Sequence, residues 1–495
     1  MNAHAPPHAE AAPLDEATVR TIIIGIMLAM FLAALDQTIV ATALPTIGRE
    51  LGDLKNLSWV VTAYLLSSTA ATPLYGKISD IHGRRKTLLA AISIFIIGSI
   101  ACALAPSMLA LIAARFLQGL GGGGLISLAQ TITADAVSPR ERSRYMGYFG
   151  MVFALSSISG PVLGGVISQI AGWSAIFWIN VPLGFLAMAM TYTALRRLPR
   201  HERPHKLDYA GAVLLIVAAL LILLALSWGG VAYPWSSPTI IGLACASIIA
   251  WLLFAWRLRT AEQPFLPLGV LADRVVATAT LSGFFGIGTM VGLSIYLPLF
   301  FQAVLGLSAA ASGFALIPLS FGTVAGAQTS GRVMAKVSHY KRAPMAGVGI
   351  AIVALAAMTA FAHQMSLIGI EILLVIIGTG LGTLFPVTVV AVQNSVSAHH
   401  MGTATATVNF MRALGSAILV ATFGAIFLAG VGASGGVSVE SLVADAAHGG
   451  RSLDLAFREV FGAATLCIVI AFGLLLMMEE RPLRGGRAAA PVQME

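Results

Sequence analysis

Apolar residues run along this 495-residue chain in long blocks rather than in the short amphipathic repeats of a water-soluble fold. The blocks are roughly 20 residues or longer, the length a helix needs to cross about 30 Å of hydrocarbon, and each ends in charge, Pro or Gly. They predict fourteen membrane-spanning helices, at 21 to 45, 58 to 76, 88 to 105, 108 to 133, 145 to 169, 174 to 195, 209 to 229, 238 to 257, 275 to 301, 310 to 330, 343 to 362, 366 to 390, 402 to 429 and 457 to 478. The loops between them are short, and the longest, about 430 to 456, is Gly-rich. The opening residues are polar, and residues 1-20 are expected to form a disordered tail; no basic segment with an apolar core of about 7–15 residues marks a secretory signal there. Whatever the protein does is therefore expected to happen inside the membrane.

Composition agrees with this pattern. Hydrophobic residues make up 58% of the chain and charged residues only 10%, against about 25% charged in soluble domains. A soluble globule, a disordered chain, a coiled coil and a disulfide scaffold are excluded together. Cys102, Cys245 and Cys467 each sit in an apolar run, where a thiol behaves as a small hydrophobe.

Charge then supplies topology, because Lys and Arg collect on the cytoplasmic side of short loops. With the N-terminus inside, 23 of the 29 basic residues fall on the cytoplasmic side, four on the outer side (Arg49, Lys55, Arg451, Arg458) and two, Arg115 and Arg412, within spans. A miscounted span would scramble this alternation. The net charge of +8 thus reads as topology and contact with anionic membrane lipid, and no basic surface is left for a nucleic-acid partner.

Four ionisable residues lie inside spans: Asp36, Arg115, Glu371 and Arg412. Each costs at least about 2.5–3.5 kcal/mol at a helix centre, so such residues face a cavity or a partner. At about 1.5 Å per residue, Asp36 stands about 22 Å above the cytoplasmic start of span 1 and Arg115 about 18 Å above that face on span 4. Opposite charges at one depth form either a proton-binding site or a permanent ion pair that sets helix register. Glu371 is near enough to the outer end of its span to reach water. Arg412 has no acid at a matching depth, and either faces a central cavity or holds helix carbonyls.

Several familiar chemistries are absent. Gly119 to Gly124 satisfies a G-x-G-x-x-G pattern, but it lies in a transmembrane block with Asp135 too close to serve as the ribose-binding acid. Its expected meaning is close helix approach. No His or Cys spacing suits a metal, no nucleophile triad or carboxylate pair suggests hydrolysis, and no cofactor motif is present, so an enzyme is not expected.

The chain resembles the major facilitator superfamily, specifically its fourteen-helix drug:proton antiporters of the EmrB/QacA type. Leu35-Asp36-Gln37-Thr38-Ile39-Val40 with Ala43-Leu44-Pro45 is similar to the first-helix signature, with Ala41 in place of the frequent Asn. Gly76, Asp80, Gly83, Arg84 and Arg85 match the loop between helices 2 and 3, with Ile81 where a basic residue is common. Arg115, Gln118 and Gly119 match the helix 4 signature, and Gly160, Pro161, Gly164 and Gly165 the helix 5 signature of antiporters. Trp173, Phe177, Ile179, Asn180 and Pro182 resemble the start of helix 6, and Leu207-Asp208-Tyr209 with Gly211 the start of two extra central helices. Gly331, Lys336, Lys341 and Arg342 form a worn second copy of the loop signature, with Ala335 in the place of Asp80.

The resemblance implies an all-α polytopic fold of two six-helix bundles, at 21-200 and 261-480, with two helices inserted at 201-260 and a cytoplasmic tail at 481-495. It implies a multi-pass protein of the cell (inner) membrane with both termini cytoplasmic, exporting amphipathic or cationic small molecules by alternating access and driven by protons rather than a cofactor. Asp36 would take the proton and Arg115 would tune its proton affinity; the 76 to 85 loop would gate the cytoplasmic side. Gln37, Trp59, Tyr64, Gln118, Phe149, Phe153, Tyr296, Phe300 and Arg412 are candidates for the substrate cavity, although most aromatics in spans simply pack. A periplasmic adaptor protein is a conceivable partner. A dedicated exporter of a metabolite or siderophore would share these motifs, whereas a non-transporting sensor would not need Asp36 and Arg115.

Overall fold

A computed structural model describes residues 16–51, 56, 59–197, 208–230, 233–262, 268–307, 309–337, 339–431 and 450–483. Hydrocarbon offers no partner to a free N–H or C=O, so each crossing must satisfy its own backbone. The described residues are accordingly helical, with one isolated bridge between Gly229 and Tyr233. The first half comprises α1 (Glu16–Leu51), α2 (Trp59–His82), α3 (Arg84–Ala103), α4 (Met108–Ala136), α5 (Pro139–Ile170), α6 (Ala175–Trp178) and α7 (Asn180–Ala194). A hairpin follows, α8 (Tyr209–Trp228) and α9 (Pro238–Thr260). The second half comprises α10 (Leu268–Ala272), α11 (Arg274–Ala303), α12 (Ala309–Phe314), α13 (Ile317–Lys336), α14 (Arg342–Phe361), α15 (Leu367–Gly382), α16 (Leu384–Ser395), α17 (Met401–Val431) and α18 (Gly450–Met477).

Among the described residues, eleven helical stretches are long and apolar enough to span a membrane. The expected spans at 58 to 76, 145 to 169 and 310 to 330 are occupied by the long helices α2, α5 and α13, which fall outside that set. Their position bears on the lower apolarity: α2 packs on α17 and α5 on α13, so all three lie at the seam between the halves, where α2 presents Thr62, Ser68, Thr69 and Thr72 and α13 presents Ser320 and Thr323 to the interior. Three expected spans are also interrupted, at Ile179, at Ala315 to Leu316 and at Thr383. Helix α1 begins at Glu16, so the last residues assigned to the tail are helical, while most of the 430 to 456 loop lies outside the described residues.

Local chemistry fixes several helix starts. Ser138 and Glu141 form a reciprocal capping box on α5, and Asp208 accepts from Gly211 N at 3.0 Å to cap α8. Asp208 also pairs with Arg257 of α9 at 3.0 Å, which ties the base of the hairpin.

The two halves repeat one packing scheme. In the first, α2 packs on α4, α3 on α4, and α1 on α5 and α7; in the second, α13 packs on α15, α14 on α15, and α11 on α17 and α18. Many polytopic membrane folds are built from paired repeats of this kind. The α8–α9 hairpin joins the seam by packing α8 against α2 and α17.

Candidate functional site

Asp36 lies mid-way along α1, fully buried. Arg115 and Gln118 are one turn apart on α4, and therefore share a face. That face meets Asp36: Arg115 Nη1 stands 2.5 Å from Oδ2, and Gln118 Nε2 donates to Oδ1 at 2.8 Å. From α7, Asn180 Nδ2 donates to the same Oδ1 at 2.8 Å. Ser99 of α3 closes the cluster, accepting from Gln118 Nε2 at 2.7 Å and from Asn180 Nδ2 at 3.4 Å. Arg115 is anchored further through Nε to Val60 O at 3.0 Å, and Tyr64 of α2 lays its ring 4.3 Å from the guanidinium carbon. Five helices converge on one carboxylate.

The Gly119 to Gly124 run is what lets α4 come so close to its neighbours. A Cβ on Gly119 would collide with Ser67 Oγ of α2, and one on Gly121 with Phe95 N of α3. Without the glycines α4 could not approach α3 near enough for Gln118 to reach Ser99.

Beside this cluster a cavity of about 940 Å³ lies between the two halves. Its wall takes Gln37 from α1, Gln130 from α4, Phe153 from α5, Tyr296 from α11 and Arg412 from α17, with Trp235 from the hairpin turn. Along α17 it runs from Asn409 to Ala425, about 24 Å at helical rise. Asp36 is not part of the wall; it sits one layer behind its neighbour Gln37.

At one end of the bundle the halves are held together. Asp80 of α2 accepts from Gly402 N at 3.0 Å, Thr403 N at 2.8 Å and Thr403 Oγ1 at 2.7 Å, all at the start of α17. A helix N-terminus favours a carboxylate. Arg84 pairs with Asp80 at 2.5 Å and with Asp135 at 2.7 Å. Gly76 packs directly on α17, where a Cβ would stand 2.5 Å from Gly402 O, and Gly83 turns between α2 and α3 with φ +87°. Arg85 leaves the seam and lies over Tyr192 at 4.2 Å. Deeper in, Arg142 Nη1 donates to Gln393 Oε1 at 3.1 Å, and Asn409 Nδ2 donates to Gln130 Oε1 at 2.8 Å, the latter pair on the cavity wall.

Helix α5 continues unbroken through Gly160, Pro161, Gly164 and Gly165. Gly160 is pressed on α1, where a Cβ would collide with Thr38 Oγ1, and that hydroxyl donates to Ser156 O at 2.9 Å; Gly165 faces open space.

The cavity candidates therefore divide. Gln37, Phe153, Tyr296 and Arg412 stand on the wall. Tyr64 and Gln118 belong to the Asp36 cluster, and Trp59 packs edge-on against Trp228 at 5.7 Å. Phe149 is buried in the core, and Phe300 is locked among Phe301, Phe457 and Phe461, so neither reaches the cavity. An aromatic in an apolar block carries no signal of which way it points. Ser99 and Thr388 were missed for a related reason: small hydroxyls are common in these helices and usually bond to their own backbone.

The Major Facilitator Superfamily profile matches residues 26–420. The chain is 34% identical over 489 residues to an uncharacterized MFS-type transporter of Mycobacterium tuberculosis, covering 95% of this chain and 71% of that protein. It is 34% identical over 411 residues to multidrug resistance protein 3 of Bacillus subtilis, covering 83% and 80%. A bacterial homologue of the iron transporter ferroportin, in an outward-facing state, superposes with a TM-score of 0.67 at 11% identity, covering 94% of this chain and 100% of that one, a likeness of fold alone. With a match across that much of the sequence, and repeated halves around a central cavity, this multi-pass membrane protein belongs to the Major Facilitator Superfamily, whose members here are transporters rather than enzymes.

Proposed function

We propose that the protein is a proton-coupled antiporter of fourteen crossings, akin to the EmrB/QacA type, that exports amphipathic small molecules across the inner membrane by alternating access. Two relatives from Bacillus subtilis carry the names multidrug resistance protein 3 and multidrug transporter protein MdtP, which supports efflux of foreign compounds. The bias of basic residues supports cytoplasmic termini. With that orientation the Asp80 end is the cytoplasmic gate, closed here, and the cavity belongs to the outward-facing half of the cycle. The cationic part of the expected substrate range finds no carboxylate on the described cavity wall.

The observation that carries the reading is the Asp36 cluster. While Asp36 is ionised, Arg115, Gln118 and Asn180 fasten α1, α4 and α7 to it. Protonation from outside removes the attraction for Arg115 and frees α1 to move. Helix α1 carries the wall residue Gln37, and through Thr38 it is bonded to α5, which faces α13 across the seam. A proton and a substrate that favour different arrangements of these helices must compete, and that competition is antiport. The proton gradient is the energy source.

Energised inverted vesicles containing the protein test this. Adding amphipathic compounds is expected to release protons from the lumen, and a protonophore to abolish substrate accumulation. Accumulation that is indifferent to the protonophore would refute proton coupling.

A further inference from the structure

We propose that Arg412 anchors an anionic oxygen group, a carboxylate above all, on the molecule the cavity carries. This rests on the export reading for the cavity being a substrate site, and it assigns the charge of the ligand rather than the energy source.

Arg412 is 5% exposed and borders the cavity. Its Nη2 donates to Phe385 O at 3.1 Å and to Thr388 Oγ1 at 2.5 Å, and its guanidinium carbon lies 4.8 Å from the Phe385 ring. These partners are all neutral. Nε and Nη1, which carry three N–H donors between them, are buried without a hydrogen-bond partner, and among the described residues no carboxylate pairs with Arg412. A buried cation lacking a counter-charge and leaving two of its three nitrogens without a hydrogen bond is costly. Arg115 shows what a settled guanidinium looks like in the same protein, with Asp36, Gln118 and Val60 O around it. What Arg412 lacks is an anion.

Two further features say where the anion comes from. Arg412 is the one charged residue among the described residues of the wall, so a cationic ligand is repelled there and an anionic one attracted. Gly283 of α11 leaves a notch beside the unfilled donor: a Cβ built on it would stand 3.4 Å from Arg412 Nε. The surrounding surface is largely apolar, with Phe153, Met290 and Tyr296, and suits the body of an amphiphile better than the hydration shell of a bare inorganic ion.

Binding in nanodiscs, measured against empty nanodiscs without any gradient, tests the assignment. The probes are 1-pyrenebutanoate, its neutral amide and the corresponding butylammonium. Wild type is expected to prefer the carboxylate over the amide by at least about tenfold, the range for a charge-assisted hydrogen bond. Arg412→Gln removes that preference, the carboxylate losing far more affinity than the amide, and Arg412→Lys retains part of it. Gly283→Ala, whose Cβ fits without displacing backbone, fills the notch and weakens carboxylate binding alone, which guards against an Arg412 variant that fails to fold. Equal affinity for carboxylate and amide in wild type, a preference that survives Arg412→Gln, or displacement of the probe by millimolar chloride overturns the proposal. Binding without a gradient does not depend on proton coupling, so loss of coupling and loss of the anion site are read separately.

Discussion

Arg115 and Arg412 are both buried arginines inside helical crossings, and their surroundings are opposite. Arg115 is well paired: a carboxylate, a side-chain amide and a backbone carbonyl accept from its Nη1 and Nε, and a tyrosine ring covers its face. Arg412 has two neutral acceptors and two nitrogens with none. A guanidinium whose partner is an ionisable acid from another helix changes its attachment when that acid changes protonation state. One whose counter-charge is missing is open to whatever enters the cavity. On the proposed reading, the same side chain serves as the partner of a switch in one half and as an unfilled receptor in the other.

The stability consequences run in opposite directions and put that contrast at risk. Arg115→Ala leaves the Asp36 carboxylate buried without its cation and is expected to cost about 3–5 kcal/mol, read as a large fall in thermal midpoint in detergent. Arg412→Met removes an uncompensated charge and keeps the volume, and is expected to be neutral or to stabilise by about 1–4 kcal/mol. Both variants destabilising alike would mean that Arg412 has an unseen structural partner.

The two loop copies differ in the same manner. Asp80 reaches across the seam to the start of α17. The second copy has Ala335 there, and its Lys341 instead donates to Leu476 O and Met478 O of its own half, at 2.6 Å each. Asp80→Asn keeps the shape but loses the charge at the helix terminus and the pairing with Arg84; a loss of about 1–3 kcal/mol is expected. Spin-label distances between the ends of α2 and α17 should broaden toward an open gate, whereas Ala335→Asp should leave them unchanged. An effect of similar size, about 1–3 kcal/mol of overpacking at most, is expected from Gly160→Ala, because the added methyl meets Thr38; transport should slow more than binding weakens.

Much of this was legible in the sequence because helices impose fixed lengths. The rise per residue placed Asp36 and Arg115 at one depth before any coordinates, and the structure joins them. What the pattern could not show was rotation. In a bundle whose helices are apolar on both the lipid face and the core face, hydrophobicity does not mark the inward side. Phe153 and Phe300 look alike in sequence, yet one faces the cavity and the other an aromatic core. Ser99 and Asn180 acquire meaning only once four helices bring them to Asp36. The interruption at Thr383, next to Gly382, was likewise hidden in a continuous apolar block.

Proteoliposomes carrying Asp36→Asn separate a proton site from a structural ion pair most directly. The variant keeps a side chain of the same shape that can still accept from Arg115. If Asp36 carries the proton, the variant loses accumulation driven by a pH gradient but continues to exchange labelled for unlabelled substrate when no gradient is present. Accumulation under a pH gradient at the wild-type level would contradict the role of Asp36 in coupling.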